Sequence, residues 1–177
     1  MISRTMAEAQ LPKRVDAAKL VDSNQQFSAQ IDSQKLGRLL AAVERCEQPV
    51  DCHIEFFRDA ENHRVLKGQC KTQVTMQCQR CLGSVSLEVE SEFELGLVFD
   101  DERAKQLPRR LEPVIVDEDG YFDLWQVLED EVLLSLPPFP LHPQDECQLK
   151  QPEPDTNAEP EVERENPFSV LAQLKKN

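Results

Sequence analysis

The sequence predicts an α+β fold in which an antiparallel sheet is packed by helices, and three observations carry that prediction. In residues 66–78, Leu66, Gly68, Cys70, Thr72, Val74, Met76 and Cys78 take the even positions, while Lys67, Gln69, Lys71, Gln73, Thr75 and Gln77 take the odd ones. Beyond Gly83 the parity reverses: Val85, Leu87, Val89, Phe93, Leu95, Leu97 and Phe99 are odd, and Glu88, Glu90, Glu92 and Glu94 are even. Period two with one dry and one wet face is the pattern of a half-buried strand. Segments at about 33–46 and 123–136 space their apolar residues for helices instead.

The two alternating runs, separated by Gln79-Arg-Cys-Leu82, read as one long hairpin over about 65–98. If Cys78 faces Gly83, each pair of numbers sums to 161, which places Lys71 opposite Glu90 and Lys67 opposite Glu94. Opposite charges directly across a pair stabilise it by roughly 0.2–1 kcal/mol. A one-residue slip sets an apolar face against a charged one. A two-residue slip puts Lys71 against Glu92 and leaves Lys67 facing Gly96, so charge complementarity favours the first register.

The remaining elements follow in order. Asp16–Asn24 suits a short helix and Gln26–Ile31 a short strand. Asp32 is an N-cap for a helix whose stripe is Leu36, Leu39, Leu40 and Val43, ended by Glu47-Gln-Pro49. Val50, Cys52, Ile54 and Phe56 alternate with polar residues as a strand, and Asp59–Asn62 is a turn. Asp100–Leu107 reads as a polar loop or helical turn, Pro113–Val116 as a strand and Asp117–Gly120 as a turn. Asp123 then caps a helix with Gln126 completing the capping box and Phe122 and Val127 placed for a hydrophobic staple. Its buried face is Leu124, Trp125, Leu128, Val132 and Leu136, and Pro137-Pro138 stops it.

These elements make a core domain over 11–143. Gln144–Asn166 holds eight acids, two bases and no aromatic, the composition of a disordered acidic linker. Asn166-Pro167 opens a short amphipathic helix over 167–176 with Phe168, Leu171 and Leu174 on one edge. About two turns are too short to stand alone in water, so this segment docks on its own body, docks on a partner, or is disordered.

The formal net charge is -13 over 177 residues, so bulk attraction to phosphate is excluded and RNA contact needs a local basic patch. No apolar run approaches the roughly 18–20 residues that span a bilayer. Met1–Leu11 has no apolar stretch of signal-peptide length. The expected compartment is the cytoplasm, where six cysteines stay reduced or bind metal.

Four stretches in this order, Cys78-Gln-Arg-Cys81, Glu129-Asp-Glu-Val-Leu-Leu-Ser-Leu-Pro137, His142 with Cys147, and Asn166-Pro-Phe-Ser-Val-Leu-Ala-Gln-Leu174, resemble the YceD family, also called large ribosomal RNA subunit accumulation protein. The resemblance covers about residues 11–177 and lies in the ordered combination rather than in any one motif. It implies a factor for the synthesis, processing or accumulation of large-subunit (23S) ribosomal RNA, without known enzymatic activity. The partners it implies are the RNA precursor, ribosomal or assembly proteins, and neither a membrane nor a small-molecule substrate.

Four groups of residues compete for a functional role. Cys78 and Cys81 have the spacing of two thiolates from one zinc knuckle, and His142 and Cys147 are the best candidates by type for the remaining ligands. The alternative is two reduced thiols at a tight turn with an unrelated loop His and Cys. A thioredoxin-like reading fits less well, because that motif opens a helix and this one sits at a hairpin tip. From Asn62 to Leu87 there is no acid, and Arg64, Lys67, Lys71 and Arg80 form a local basic stretch that can track phosphates or merely pair across the hairpin. Arg103, Lys105, Arg109 and Arg110 form a second. Glu129-Asp130-Glu131 occupies successive helix positions, which do not converge on a point, so a solvated face or protein contact is expected. The acidic tail ending in Phe168, Leu171 and Leu174 suits capture of a basic protein or packing on its own core. No nucleophile–base pair or phosphate loop occurs. The expectation is therefore a non-enzymatic binding factor. The alternatives are a metal-dependent RNA-processing enzyme and an acidic chaperone for a basic ribosomal protein.

Overall fold

A computed structural model describes residues 11–147 and 149. Most of the expected acidic linker and the whole expected terminal helix, with Phe168, Leu171 and Leu174, lie outside the described residues.

Five strands form the main sheet, in the spatial order β2 (Gln26–Ile31), β3 (Val50–Arg58), β4 (Arg64–Gln77), β5 (Ser84–Val98) and β6 (Glu112–Ile115). The β2, β3, β4 and β5 neighbours pair antiparallel, as the alternation predicts. The β4–β5 register is the one favoured by charge: Lys67 lies opposite Glu94 and Lys71 opposite Glu90. The Lys67 ammonium donates to Glu94 Oε1 at 2.7 Å. Lys71 reaches diagonally to Glu88 instead, while Gln69 donates to Glu90 at 2.8 Å.

The inner face of this sheet is dry. Phe56, Leu66, Cys70, Val74, Val89 and Leu95 are buried there. Each fully buried aliphatic or aromatic side chain contributes about 1.5–3 kcal/mol. Gly68 sits between Ile54 on β3 and Phe93 on β5, and a Cβ at that position would lie 2.5 Å from the Phe93 ring. Glycine is needed here because two large neighbours already fill the space. Cys52 and Cys70 oppose each other across β3 and β4, both buried, with sulfurs 3.0 Å apart. All six cysteines are free thiols.

Helices cover this face. Helix α1 (Ala17–Asp22), capped by the Asp16 carboxylate, packs on β3 and β4. Helix α4 (Leu124–Leu134) packs on β4 and β5, and the Asp123 carboxylate accepts from the Gln126 amide at 3.0 Å, as the capping signal predicts. Leu124, Leu128 and Val132 are buried, with Trp125 and Leu136 half-buried.

Three features depart from the sequence-based expectation. The first is direction: β6 pairs parallel with β5, so the sheet is mixed at one edge. The chain returns from the end of β5 through helix α3 (Asp101–Ala104) and the following loop before pairing, which is the kind of connection parallel strands require. The apolar pattern of Pro113–Val116 marks a strand but carries no direction. The second is the helix at 33–46, which is two short pieces. Asp32 caps a 3-10 turn at Ser33–Lys35, Leu36 breaks it with φ −102° and ψ 78°, and helix α2 covers only Gly37–Ala42. Val43 is extended, and Arg45 exchanges backbone hydrogen bonds with Thr75 at 2.8 and 3.3 Å. Pairing with the far end of β4 thus outcompetes helix propagation there. The third is a separate ribbon of β1 (Arg14–Asp16) with β7 (Tyr121–Asp123), too short to leave a periodic signal.

Among the described residues no helix is long and apolar enough to cross a membrane.

Candidate metal centre

The hairpin tip is a tight knuckle. The Cys78 amide donates to Gly83 O at 2.8 Å, closing the last rung, and the Leu82 amide donates to Cys78 O at 2.9 Å. Leu82 takes φ 61°, a left-handed turn that lets the chain reverse within so few residues. Both thiols project from this turn, Cys78 fully buried and Cys81 half-buried.

The segment after α4 folds back over the tip. The Gln79 amide donates to Pro140 O at 2.9 Å, which anchors the strap that carries His142. A turn then brings Cys147 back, its amide donating to Pro143 O at 3.1 Å. Cys147 is buried with Cys78 and Val85 in a small apolar cluster separate from the main core.

Cys78, Cys81, His142 and Cys147 therefore converge, with one ligand atom from each lying within 4.8 Å of all the others. The four residues nominated by type come from two separate stretches, and the fold brings all of them together. The imidazole lies with Nδ1 3.4 Å from Cys81 Sγ and Nε2 3.1 Å from Ser84 O. A ring that donates its remote N–H to a carbonyl and aims the other nitrogen inward has the arrangement of a metal-bound histidine. Burial pushes the Cys78 thiol up, but amides of Cys81, His142 and Arg80 and the His142 ring outweigh it and bring the thiol down to about 5. The His142 imidazole is raised, first by its hydrogen bond with Cys78 and against the effect of burial. Three sulfurs and one imidazole form the donor set of a closed tetrahedral zinc site. This cluster fits such an ion, with no protein position left over for a reacting water.

Asp59, Glu61 and His63 also lie close together. There the Asp59 carboxylate already accepts from the His63 ring at 2.9 Å and from Arg110.

The basic candidates separate into paired and unpaired groups. Lys67 and Lys71 are ion-paired to Glu94 and Glu88, and Arg110 to Asp59 and Glu94. Arg80 lies half-buried in the knuckle beside the thiols, and Arg109 is exposed on the loop before β6. Arg64 and Arg103, which come from different stretches of sequence, meet over the Phe99 ring with guanidinium carbons 5.3 and 5.5 Å from its centroid.

Glu129 does more than its sequence neighbours indicate. It is buried on α4, and its Oε1 accepts from the Arg38 and Leu39 amides at 2.8 and 3.0 Å, while Oε2 accepts from Arg38 Nε at 3.0 Å. It thus caps the start of α2, a helix that has no side-chain cap of its own. Asp130 turns to the same Arg38 guanidinium, whereas burial together with Asp130 and Glu112 raises the Glu131 carboxyl. Two of the three acids thus meet at one arginine, against the expectation from their spacing, because Arg38 reaches each through a different nitrogen. Sequence gives no signal for the Glu129 cap, because its partner helix lies far away along the chain.

The family model described as large ribosomal RNA subunit accumulation protein YceD matches residues 66–175. A protein of that name from Haemophilus influenzae is 31% identical over 172 residues, covering 96% of this chain and 99% of its own length. No solved structure matches. The matched stretch begins at the hairpin and runs through the thiol–imidazole cluster, and the chain belongs to the YceD family.

Proposed function

We propose that this chain is a non-enzymatic binding factor required for large-subunit (23S) ribosomal RNA to accumulate. In this reading it works in the cytoplasm by contacting the RNA precursor or the proteins assembled on it. The observation that carries the reading is the near end-to-end similarity to a protein named for that role. Similarity spread over 172 residues favours one shared task over a borrowed domain.

The site chemistry agrees with binding rather than catalysis. Cys78, Cys81, His142 and Cys147 would hold a zinc ion with all four tetrahedral positions taken by protein, the pattern of a structural site. Two acids with buried, fixed side chains are engaged elsewhere than at the thiol cluster: Glu129 with Arg38 and the α2 amides, and Asp59 with His63 and Arg110. The ion would fasten the 140–147 strap to the hairpin tip and hold Arg80 and the exposed Leu82 in one presentation.

The test is association. Tagged full-length chain is sedimented with cell extract, and RNA and protein in each fraction are quantified. Co-migration with large-subunit precursor particles, and a fall in large-subunit RNA on depletion, are the expected results. Absence of both refutes the reading. Precursor RNA cleavage by purified chain, abolished by Glu129→Gln without loss of stability, would replace it with an enzyme.

A further inference from the structure

The rim of the core at the turn end of β3 and β4 carries a pocket of about 280 Å³. Arg58, His63, Arg64, Phe99, Arg103 and Gln106 are among its walls, and no Asp or Glu lines it. Arg58, Arg64 and Arg103 thus share an opening to which no carboxylate contributes. The larger groove on the sheet is lined instead by Glu55, Glu92 and Glu94, alongside Lys67 and Arg110.

Arg58 and Arg64 face each other directly across the antiparallel pair, an arrangement of like charges that destabilises a sheet. Arg58 is relieved by Asp22, to which it donates at 2.8 and 3.2 Å. Arg103 has Asp100 at 3.6 Å. Arg64 has no ion pair among the described residues. Its Nε is buried without a hydrogen-bond partner, and its guanidinium lies against the Phe99 ring. An arginine without an ion pair among the described residues, lining a pocket without acids, points to an anion supplied from outside to the outer nitrogens of its guanidinium.

We propose that this pocket holds a backbone phosphate of single-stranded RNA, gripped by Arg64 and Arg103. Both guanidinium groups lie against the Phe99 ring and line the same opening, and guanidinium donors match phosphate oxygens in geometry and charge. A phosphate contact fixes position without reading sequence, as a factor acting on a large RNA requires. The proposal rests on the RNA-contact form of the function proposed above and names its site.

The test uses full-length chain and fluorescence anisotropy with two short labelled single-stranded RNAs, an oligouridine and a mixed sequence, over a salt series. Arg64→Gln/Arg103→Gln weakens binding to both RNAs by about tenfold alike. The slope of log affinity against log salt falls by about 0.7 for the lost phosphate contact. Lys13→Gln/Arg14→Gln, an equal charge change at exposed residues on and beside the β1 ribbon, leaves both quantities unchanged. Arg103→Gln alone, at a side chain 60% exposed, gives part of the effect in a chain whose fold is not in question. Unchanged binding in the double variant overturns the proposal, as does wild-type binding to orthophosphate or pyrophosphate but to neither RNA. Co-migration with precursor particles without affinity for naked RNA overturns it too, and leaves the proposed function standing on a protein contact.

Discussion

Replacing Glu129 by alanine should destabilise the protein by about 3 kcal/mol, and the structure dictates where that figure comes from. The carboxylate accepts two backbone amides at the start of α2, one of them on Leu39, which is fully buried. Loss of an N-cap acceptor costs about 1 kcal/mol. A buried amide left without a partner costs a further 1–3 kcal/mol or so, because water cannot reach it. The Arg38 contact adds little: that side chain is half-exposed, retains Asp130 and is otherwise solvated. For a domain of this size the total corresponds to a fall in Tm of roughly 10 °C.

Two companion variants separate the mechanism from a general effect of charge. Glu129→Gln keeps one oxygen aimed at both amides and gives up the charge and the Arg38 contact, so it should cost only about 1 kcal/mol. Asp130→Asn, at a side chain 45% exposed, should cost under about 0.5 kcal/mol. Urea denaturation followed by far-UV circular dichroism gives all three values under two-state analysis. A Glu129→Ala variant within about 1 kcal/mol of wild type, or an Asp130→Asn variant as damaged as it, would refute the capping role. The same series bears on catalysis, since a structural cap predicts that the function of Glu129→Gln tracks its stability.

The other expectations are more compact. Purified chain should carry close to one equivalent of zinc by elemental analysis, and Cys81→Ser should lose it. On chelation, hydrogen exchange should rise at 78–83 and 140–147 while the β4–β5 amides nearer the main core stay protected, because the thiol cluster is separate from that core; global unfolding on chelation would contradict this. Gly68→Ala should cost about 1–3 kcal/mol, since the new methyl meets Phe93 and Ile54 at the centre of the sheet, and a neutral outcome would mean the ring moves aside freely. Burial pushes the Asp59 carboxyl up, but the His63 ring and amide and Arg110 bring it down from 3.8 to about 2. A depressed acid stabilises the fold above its unfolded value and loses that contribution as pH falls through the folded one. The stability gap between wild type and Asp59→Asn should therefore be flat above about pH 4 and shrink between 4 and 2; a gap that persists at pH 2 would show that the charge is not its source.

Sequence carries local pattern well and distant closure poorly, and this chain shows where the line falls. The β4–β5 register was legible because a one-residue slip sets an apolar face against a charged one, and because this register, unlike the two-residue slip that sets Lys67 against Gly96, gives Lys67 an acid to face. The Asp123 cap was legible because donor and acceptor lie three residues apart. The early end of helix α2 at Val43 was not, since it is decided by a bridge from Arg45 to Thr75 that no window around residue 43 contains. The thiol–imidazole cluster lies between these cases. Residue type nominated its four members, but only the strap over the hairpin tip brings them within 4.8 Å.

The arginine pocket shows the same limit, because each of the two sequence clusters behind it holds cations that the fold engages in different ways. Counting bases along the chain gives Lys67, Lys71 and Arg110 the same weight as Arg64 and Arg103. In the fold the first three face the ladder of glutamates on the outer side of the sheet and are neutralised there. Arg64 lies on the opposite parity of β4 and so turns toward Leu97 and Phe99, away from those acids. An acidic protein can thus hold a local anion site without raising its overall charge, provided that strand parity sorts its cations. Inverting the ladder with Glu88→Lys and Glu94→Lys should then strengthen RNA binding only through long-range attraction, screened by moderate salt. If those changes restored affinity at high salt to the Arg64→Gln/Arg103→Gln variant, net charge and not the pocket would be what RNA recognises.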